Sequence, residues 1–163
     1  MPLTSSQRKV VSSARLARLI REAKGRGRRV VFTNGCFDLV HTGHVKLLER
    51  AKRFGDLLVV AINSDRSVRA LKGASRPIVP QQDRAALLAA FGCVDYVTIF
   101  HEPTPKRLIA SLRPHVLVKG ADWGHGRIVG RDLVEQTGGH IVRIPLVRGY
   151  STTKLIERIR DLP

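Results

Sequence analysis

Residues 30–44 read Val30-Val31-Phe32-Thr33-Asn34-Gly35-Cys36-Phe37-Asp38-Leu39-Val40-His41-Thr42-Gly43-His44. The first four are a short β-branched and aromatic run of the kind that forms a buried strand. His41 and His44 stand three apart, so they share a face of the helical turn that follows. Gly43 leaves that turn bare, and a ligand can approach the backbone closely. The free N–H groups and the dipole of a helix start favour a phosphate there. Two imidazoles beside that phosphate can donate hydrogen bonds to its oxygens as charge builds during displacement. Phosphoryl-type transfer rests mainly on positioning and charge stabilisation, so no nucleophilic side chain is required. Alone, His-x-Gly-His equally suits a helix cap with one packed histidine, or half of a metal site. No carboxylate or third histidine stands at ligand spacing to complete the metal site, and the place directly after a buried strand favours the functional reading.

The same alternation runs through the chain. Helices are expected over 14–24 (after Ser12-Ser13 as a cap), 43–53, 82–91, 105–112, 128–136 and 151–160. Strands are expected over 30–33, 57–62, 96–100, 116–119 and 140–144. Residues 63–81, basic and holding Pro77 and Pro80, read as a looser segment. Strands alternating with helices argue for an open, mostly parallel sheet with helices on both faces. With no repeat or long linker, residues 1–163 read as one domain. Residues 1–9 carry the only indication of disorder, and residues 10–29 a basic helix.

The 163 residues carry a formal net charge of +16. Nine Lys or Arg fall within residues 1–29 against one acid, Glu22, which is half of the excess. Such a balance suits a polyanion or phosphorylated small molecules. Few aromatics interleave with the basic residues, so no stacking surface for single strands is visible. A nucleic-acid-binding module is therefore a competing reading, not the leading one. Cys36 and Cys93 lie far apart without Cys/His company, which reads as two reduced thiols. No apolar run approaches the ~20 residues of a membrane span, and no leader pattern is present, so the expected location is the cytoplasm.

Three further clusters follow strands. Asp65, Arg69 and Lys72 stand after the second, where Lys72 and Arg69 could reach triphosphate oxygens from a loop. An exposed basic loop is the plainer alternative. Lys119-Gly120-Ala121-Asp122-Trp123 ends the fourth strand. There Gly120 lets a base or sugar lie against the backbone, Asp122 could accept from ligand hydroxyls, and Trp123 is either a pocket wall or a loop anchor. Ser151-Thr152-Thr153 opens the last helix, as a simple cap or as donors to a phosphate.

With these residues placed, the chain resembles the cytidylyltransferase-like nucleotidyltransferases, whose marks are HxGH and a late Ser/Thr-Ser/Thr-Thr run. Within them it is most similar to the heptose 1-phosphate adenylyltransferase domains of ADP-heptose synthesis. The matching pieces are FTNGCFD (32–38), HTGH (41–44), GDLLVVAINSD (55–65), LKGASRPI (71–78), TPKRLIASLRPHVLVKGADW (104–123) and STTKLI (151–156). The resemblance covers roughly residues 10–160. It implies an α/β fold, a Rossmann-like doubly wound parallel five-stranded sheet with helices on both faces. It also implies attack of D-glycero-β-D-manno-heptose 1-phosphate on the α-phosphate of ATP, giving ADP-heptose and pyrophosphate. By the same resemblance, the catalytic candidates are His41, His44 and Lys72. The nucleotide contacts are Asn34, Gly35, Cys36, Phe37, Gly43, Asp65, Gly120, Asp122, Ser151, Thr152 and Thr153, together with the catalytic three. The acceptor contacts are Asp38, Arg69, Lys119 and Trp123. Mg²⁺ is implied as a cofactor bridging the phosphates, with no metal-ligating residue, and a dimer is implied as the assembly. Many such domains follow a sugar kinase, and none stands upstream here, so another protein would supply the substrate. HVKLLERAK (44–52), GADW (120–123) and YSTTKL (150–155) are also similar to glycerol-3-phosphate cytidylyltransferase, which keeps CTP as the alternative nucleotide. That family's arginine ahead of its Ser-Thr-Thr is replaced here by Leu146, with Arg148 closer to the run.

Overall fold

β-Branched runs with no charged side chain need burial on both faces, and the sheet supplies it. In the computed structural model, which describes residues 4–121, 128–145, 147, 149 and 150–162, five strands form one sheet: β1 (Val30–Gly35), β2 (Leu57–Asn63), β3 (Tyr96–Phe100), β4 (Val116–Gly120) and β5 (His140–Ile144). Their spatial order is β3-β2-β1-β4-β5, and every pairing is parallel. The chain winds outward from β1 to β3, then returns to β4 on the other side. The strand order therefore reverses between β1 and β4, where such sheets open a crevice.

Among the described residues there are seven helices: α1 (Ser13–Gly25) ahead of the sheet, α2 (Thr42–Lys52), α3 (Asp65–Lys72), α4 (Gln81–Ala90), α5 (Lys106–Leu112) and α6 (Arg131–Gln136) between strands, and α7 (Thr152–Arg160) after the last strand. Alternating residues of β1 divide the core in two. Val30 and Phe32 pack with Leu16 and Ile20 of α1, Ile109 of α5 and Val134 of α6. Val31 packs on the other face with Leu48 of α2 and Leu88 of α4. Ahead of α1, residues Gln7–Lys9 form a short 3-10 turn. Val10 then bridges Val97 in parallel, and Val11 N–H donates to the Val97 carbonyl at 2.9 Å, along the border of the outermost strand β3. None of the described helices is long and apolar enough to cross a membrane.

Two readings need correction. The segment 63–81, expected to be loose, contains α3. Ser64 caps it by accepting from Ser67 N–H at 3.3 Å, and Gly73 ends it at φ 98°. Its buried residues are only Ser67 and Val68, too narrow an apolar stripe to announce a helix. The helix expected over 128–136 begins only at Arg131, after Gly130 in the left-handed region.

Candidate active site

β1 runs out at Gly35, and the chain turns sharply through Cys36 and Phe37 before α2. Phe37 has φ 47°, uncommon for a bulky residue. Its ring lies over Gly35, where a Cβ would meet Phe37 Cε2 at 3.1 Å. Asp38 is 2% exposed and follows immediately. Its carboxylate accepts from Arg76 Nε at 2.5 Å, Ile78 N–H at 2.8 Å and Val79 N–H at 2.9 Å. Burial pushes the Asp38 carboxyl up, but these donors outweigh it and hold it below the usual range. One buried charge thus straps residues 76–79 to the start of the HTGH loop.

His41 is the N-cap of α2 and His44 its third residue. Their rings stack, with centroids 3.9 Å apart and 20° between planes. Phe37 lies beyond His44 at 5.1 Å and Tyr150 beyond His41 at 6.1 Å, so four rings form a column. His41 N–H donates to His44 Nδ1 at 3.4 Å. A neutral His44 therefore carries its proton on Nε2. Burial, then the neighbouring His41, lowers the His44 pKa to about 4, and burial lowers that of His41. At neutral pH both rings are uncharged donors. His41 Nδ1 is buried and has no partner within the described chain.

The depressed value has a consequence for stability. A histidine with a lowered folded pKa favours the fold fully above its unfolded value of about 6.5. That contribution is lost as pH falls toward the folded value, because the unfolded chain binds more protons. Denaturation midpoints are expected to fall between about pH 6.5 and 4, less steeply in His44→Gln. Equal slopes in the two proteins would refute this role for His44. Gly43 offers a sharper test. A Cβ there would lie 2.9 Å from His41 Nδ1, 3.0 Å from Cε1 and 3.3 Å from Tyr150 Cβ. Gly43→Ala must therefore shift the His41 ring. Turnover is expected to drop by about 10²-fold, the scale of a ~1 Å misplacement, with the circular dichroism spectrum retained. Unchanged turnover would show that the ring's position does not matter.

A cleft of about 670 Å³ opens over these residues, lined by Asn34, Gly35, Cys36, Phe37, Asp38, His41, Gly43 and His44 from the turn and α2. Lys72 enters from the end of α3, Lys119 from β4, and Ser151, Thr152 and Thr153 from the start of α7. Lys119 is 8% exposed, and its Nζ donates to the Asn34 carbonyl at 3.2 Å and to Asn34 Oδ1, which bridges the ends of β1 and β4. Ser151 caps α7 through Lys154 N–H at 3.1 Å, and Thr152 Oγ1 donates to the Leu39 carbonyl at 3.4 Å. Burial pushes the Cys36 thiol up, which keeps it protonated.

Three of the residues expected at the site do not line this cleft: Asp65, Arg69 and Gly120. Asp65 pairs with Arg84 at 2.7 Å, and Arg69 lies exposed on α3. Asp122 and Trp123 lie outside the described residues, as do Leu146 and Arg148. The sequence reading passed over Arg76 and Tyr150, which line the cleft, and Arg84 beneath it. The SRP segment of the resemblance held Arg76, and the YSTTKL piece held Tyr150, but nothing marked either as a cleft wall. Among the described residues no three His, Cys, Asp or Glu side chains group to hold a metal.

The profile of the cytidylyltransferase-like family matches residues 32–158, from β1 to α7. The chain belongs to the cytidylyltransferase-like family. Curated proteins are similar over most of its length. A bifunctional protein HldE from Pelobacter propionicus is 53% identical over 158 residues, 97% of this chain and 32% of that protein. Another, from Syntrophotalea carbinolica, is 59% identical over 136 residues, 83% of this chain and 28% of that protein. The chain thus spans about a third of the length of the curated relatives it matches. Among solved structures, a lipopolysaccharide core biosynthesis protein from Thermoplasma volcanium superposes with a TM-score of 0.62 at 26% identity, over 77% of this chain and all of that one. In this cytidylyltransferase-like chain, His41 and His44 of the HTGH stretch line the cleft at the end of β1.

Proposed function

We propose that this protein transfers the adenylyl group of ATP to D-glycero-β-D-manno-heptose 1-phosphate, giving ADP-heptose and pyrophosphate for surface-glycan heptose. The observation that carries the reading is convergence. Six separate segments of the resemblance, from Asn34 to Thr153, each send at least one residue into a single cleft. The identity to HldE proteins, and the likeness to a lipopolysaccharide core biosynthesis protein, support the sugar-phosphate acceptor.

In this reading an acceptor phosphate oxygen attacks the α-phosphorus of ATP in line. The bond to the bridging oxygen breaks, and pyrophosphate leaves with its electrons. The negative oxygens of the α-phosphate take hydrogen bonds from the imidazole N–H groups of His41 and His44 at the α2 start. No side chain needs to form a bond to phosphorus. Lys72 and Lys119 place positive charge along the cleft wall. Mg²⁺ fits this site as an ion carried by the phosphates, because the Asp38 carboxylate is already saturated by Arg76, Ile78 and Val79. When bound it would neutralise charge on the leaving pyrophosphate.

A two-by-two assay of pyrophosphate release tests the proposal, with ATP or CTP against heptose 1-phosphate or glycerol 3-phosphate. Turnover with ATP and the heptose is expected. Turnover only with CTP and glycerol 3-phosphate would transfer the protein to the cytidylyl reading. A dimer accompanies the proposal, with support from α7, whose Ile159 is 61% exposed and which is followed by Leu162 at 63%. A monomer mass in sedimentation would count against that part.

A further inference from the structure

The sheet's other end, at the strand starts, gathers basic groups that the cleft does not use. The His115 ring accepts from Val30 N–H through Nδ1 at 2.9 Å, and the His115 backbone N–H donates to the Val30 carbonyl at 2.9 Å. His140 N–H donates to the His115 carbonyl at 3.0 Å. Arg29 Nη2 stands 3.4 Å from His140 Nδ1. An arginine only donates, so that nitrogen accepts. Both imidazoles are thereby set with the proton on Nε2. Lys24, at the end of α1, donates to the Arg113 carbonyl at 2.7 Å, where Arg113 ends α5 in the left-handed region. Two helix ends and three strand starts thus meet at this end of the sheet in two hydrogen-bonded sets, Lys24 with Arg113, and His115 with Val30 and His140, to which Arg29 reaches.

The group is crowded with like charge. Burial and then Arg113 lower the Lys24 pKa. Burial, then Lys24 and Arg29, lower that of His115. Among the described residues, Asp56 is the carboxylate tied into the group. Its Oδ2 takes the Arg29 N–H at 2.6 Å, while its carbonyl receives Arg28 at 3.2 Å and Lys52 at 2.7 Å. Cations held together against their repulsion, beside two imidazole donors, fit one ligand chemistry.

We propose that Lys24, Arg29, Arg113, His115 and His140 form a second binding site, for a multivalent oxyanion of the phosphate class. A bound phosphate would offset the repulsion and take hydrogen bonds from Arg29 and the two Nε2–H groups. Strands of this length separate the site from the cleft by roughly 17–20 Å. That is about two Debye lengths at physiological salt, so the two sites bind anions separately.

The test is an imidazole NMR titration of the whole chain with inorganic pyrophosphate at ionic strength held constant by NaCl. His41 and His44 report the cleft, and His115 and His140 report the basal site. The expected result is saturable movement of the His115 and His140 signals, with the His115 pKa rising by about one unit, the scale of a nearby opposite charge. The double variant R29Q/R113N removes two exposed charges, and asparagine suits the left-handed backbone at 113. It should weaken the basal response at least about tenfold and leave the His41 and His44 response unchanged. A parallel titration with ATP separates the sources. A basal response to both ligands assigns phosphate itself, and a response to ATP alone assigns nucleotide-borne phosphate. The proposal is overturned if neither ligand moves His115 and His140 saturably, if NaCl alone reproduces the movement, or if R29Q/R113N binds as the parent does.

Discussion

Alanine at His44 is expected to lower kcat by about 10²- to 10³-fold, the loss seen when one preorganised donor to a developing oxyanion is removed. His41→Ala should act similarly. The rings stack at 3.9 Å on the first turn of α2, so each loss also unsettles the ring that remains. The two effects should therefore not add, and the double variant should resemble the worse single one. The fall should appear in kcat more than in KM, because the donors matter most when charge builds on the α-phosphate. Steady-state kinetics on the purified variants, with denaturation midpoints measured alongside, checks this. Near-normal kcat in either variant would remove that residue from the chemistry. With His44 titrating near 4, acidification from neutral pH should not raise the rate of the free enzyme through a charged imidazolium.

The second large effect is one of stability. Arg84 is 0% exposed and spends its guanidinium on four acceptors. Nε donates to the Val79 carbonyl at 2.9 Å and Nη1 to the Cys36 carbonyl. Nη2 donates to the Asn63 carbonyl at 2.9 Å and to Asp65 Oδ1 at 2.7 Å. These acceptors belong to the end of β1, the end of β2, the start of α3 and the strap before α4. Arg84→Met would leave three carbonyls and a carboxylate without their donors. A loss of about 3–5 kcal/mol is expected, the range for breaking a buried charge from one side. Lysine should rescue little, since a single ammonium cannot span this set of acceptors. Urea denaturation followed by circular dichroism measures it. A lysine variant as stable as the parent would show that the fork geometry is dispensable. Asp65→Asn keeps the carbonyl bonds and should lose less, which separates the ion pair from the rest.

The strands were readable because each is a run of β-branched or aliphatic residues whose burial leaves little choice. HTGH stood out because a helix start after a strand favours a phosphate by its own electrostatics, and His41, Gly43 and His44 line the cleft. The convergence of Lys72, Lys119 and Ser151 on that site followed from the rule that strand ends meet. What escaped the reading was tertiary. Asp65 was placed among the nucleotide contacts, yet its partner Arg84 lies 19 positions on, within the helix expected over 82–91, where nothing local marks the pairing. Asp38 likewise looked like an acceptor contact. It lines the cleft, but its oxygens are turned to Arg76 and the backbone of residues 78 and 79, 38 to 41 positions away. α3 was missed because its helix faces solvent with little apolar stripe, although the Ser64 cap and Gly73 stop stood in plain view.

The parallel bridge between Val10 and Val97 sets where the chain can be extended. Val97 is the second residue of β3, so the leading residues dock at the rear of the sheet, away from the cleft mouth. They also cover part of a strand border whose bare N–H and C=O groups would otherwise invite a foreign backbone. A tether or partner joined ahead of residue 4 would hang behind the catalytic end and leave substrate entry clear. Trimming through Val11 would instead uncover the border of β3 that the bridge at Val97 shields.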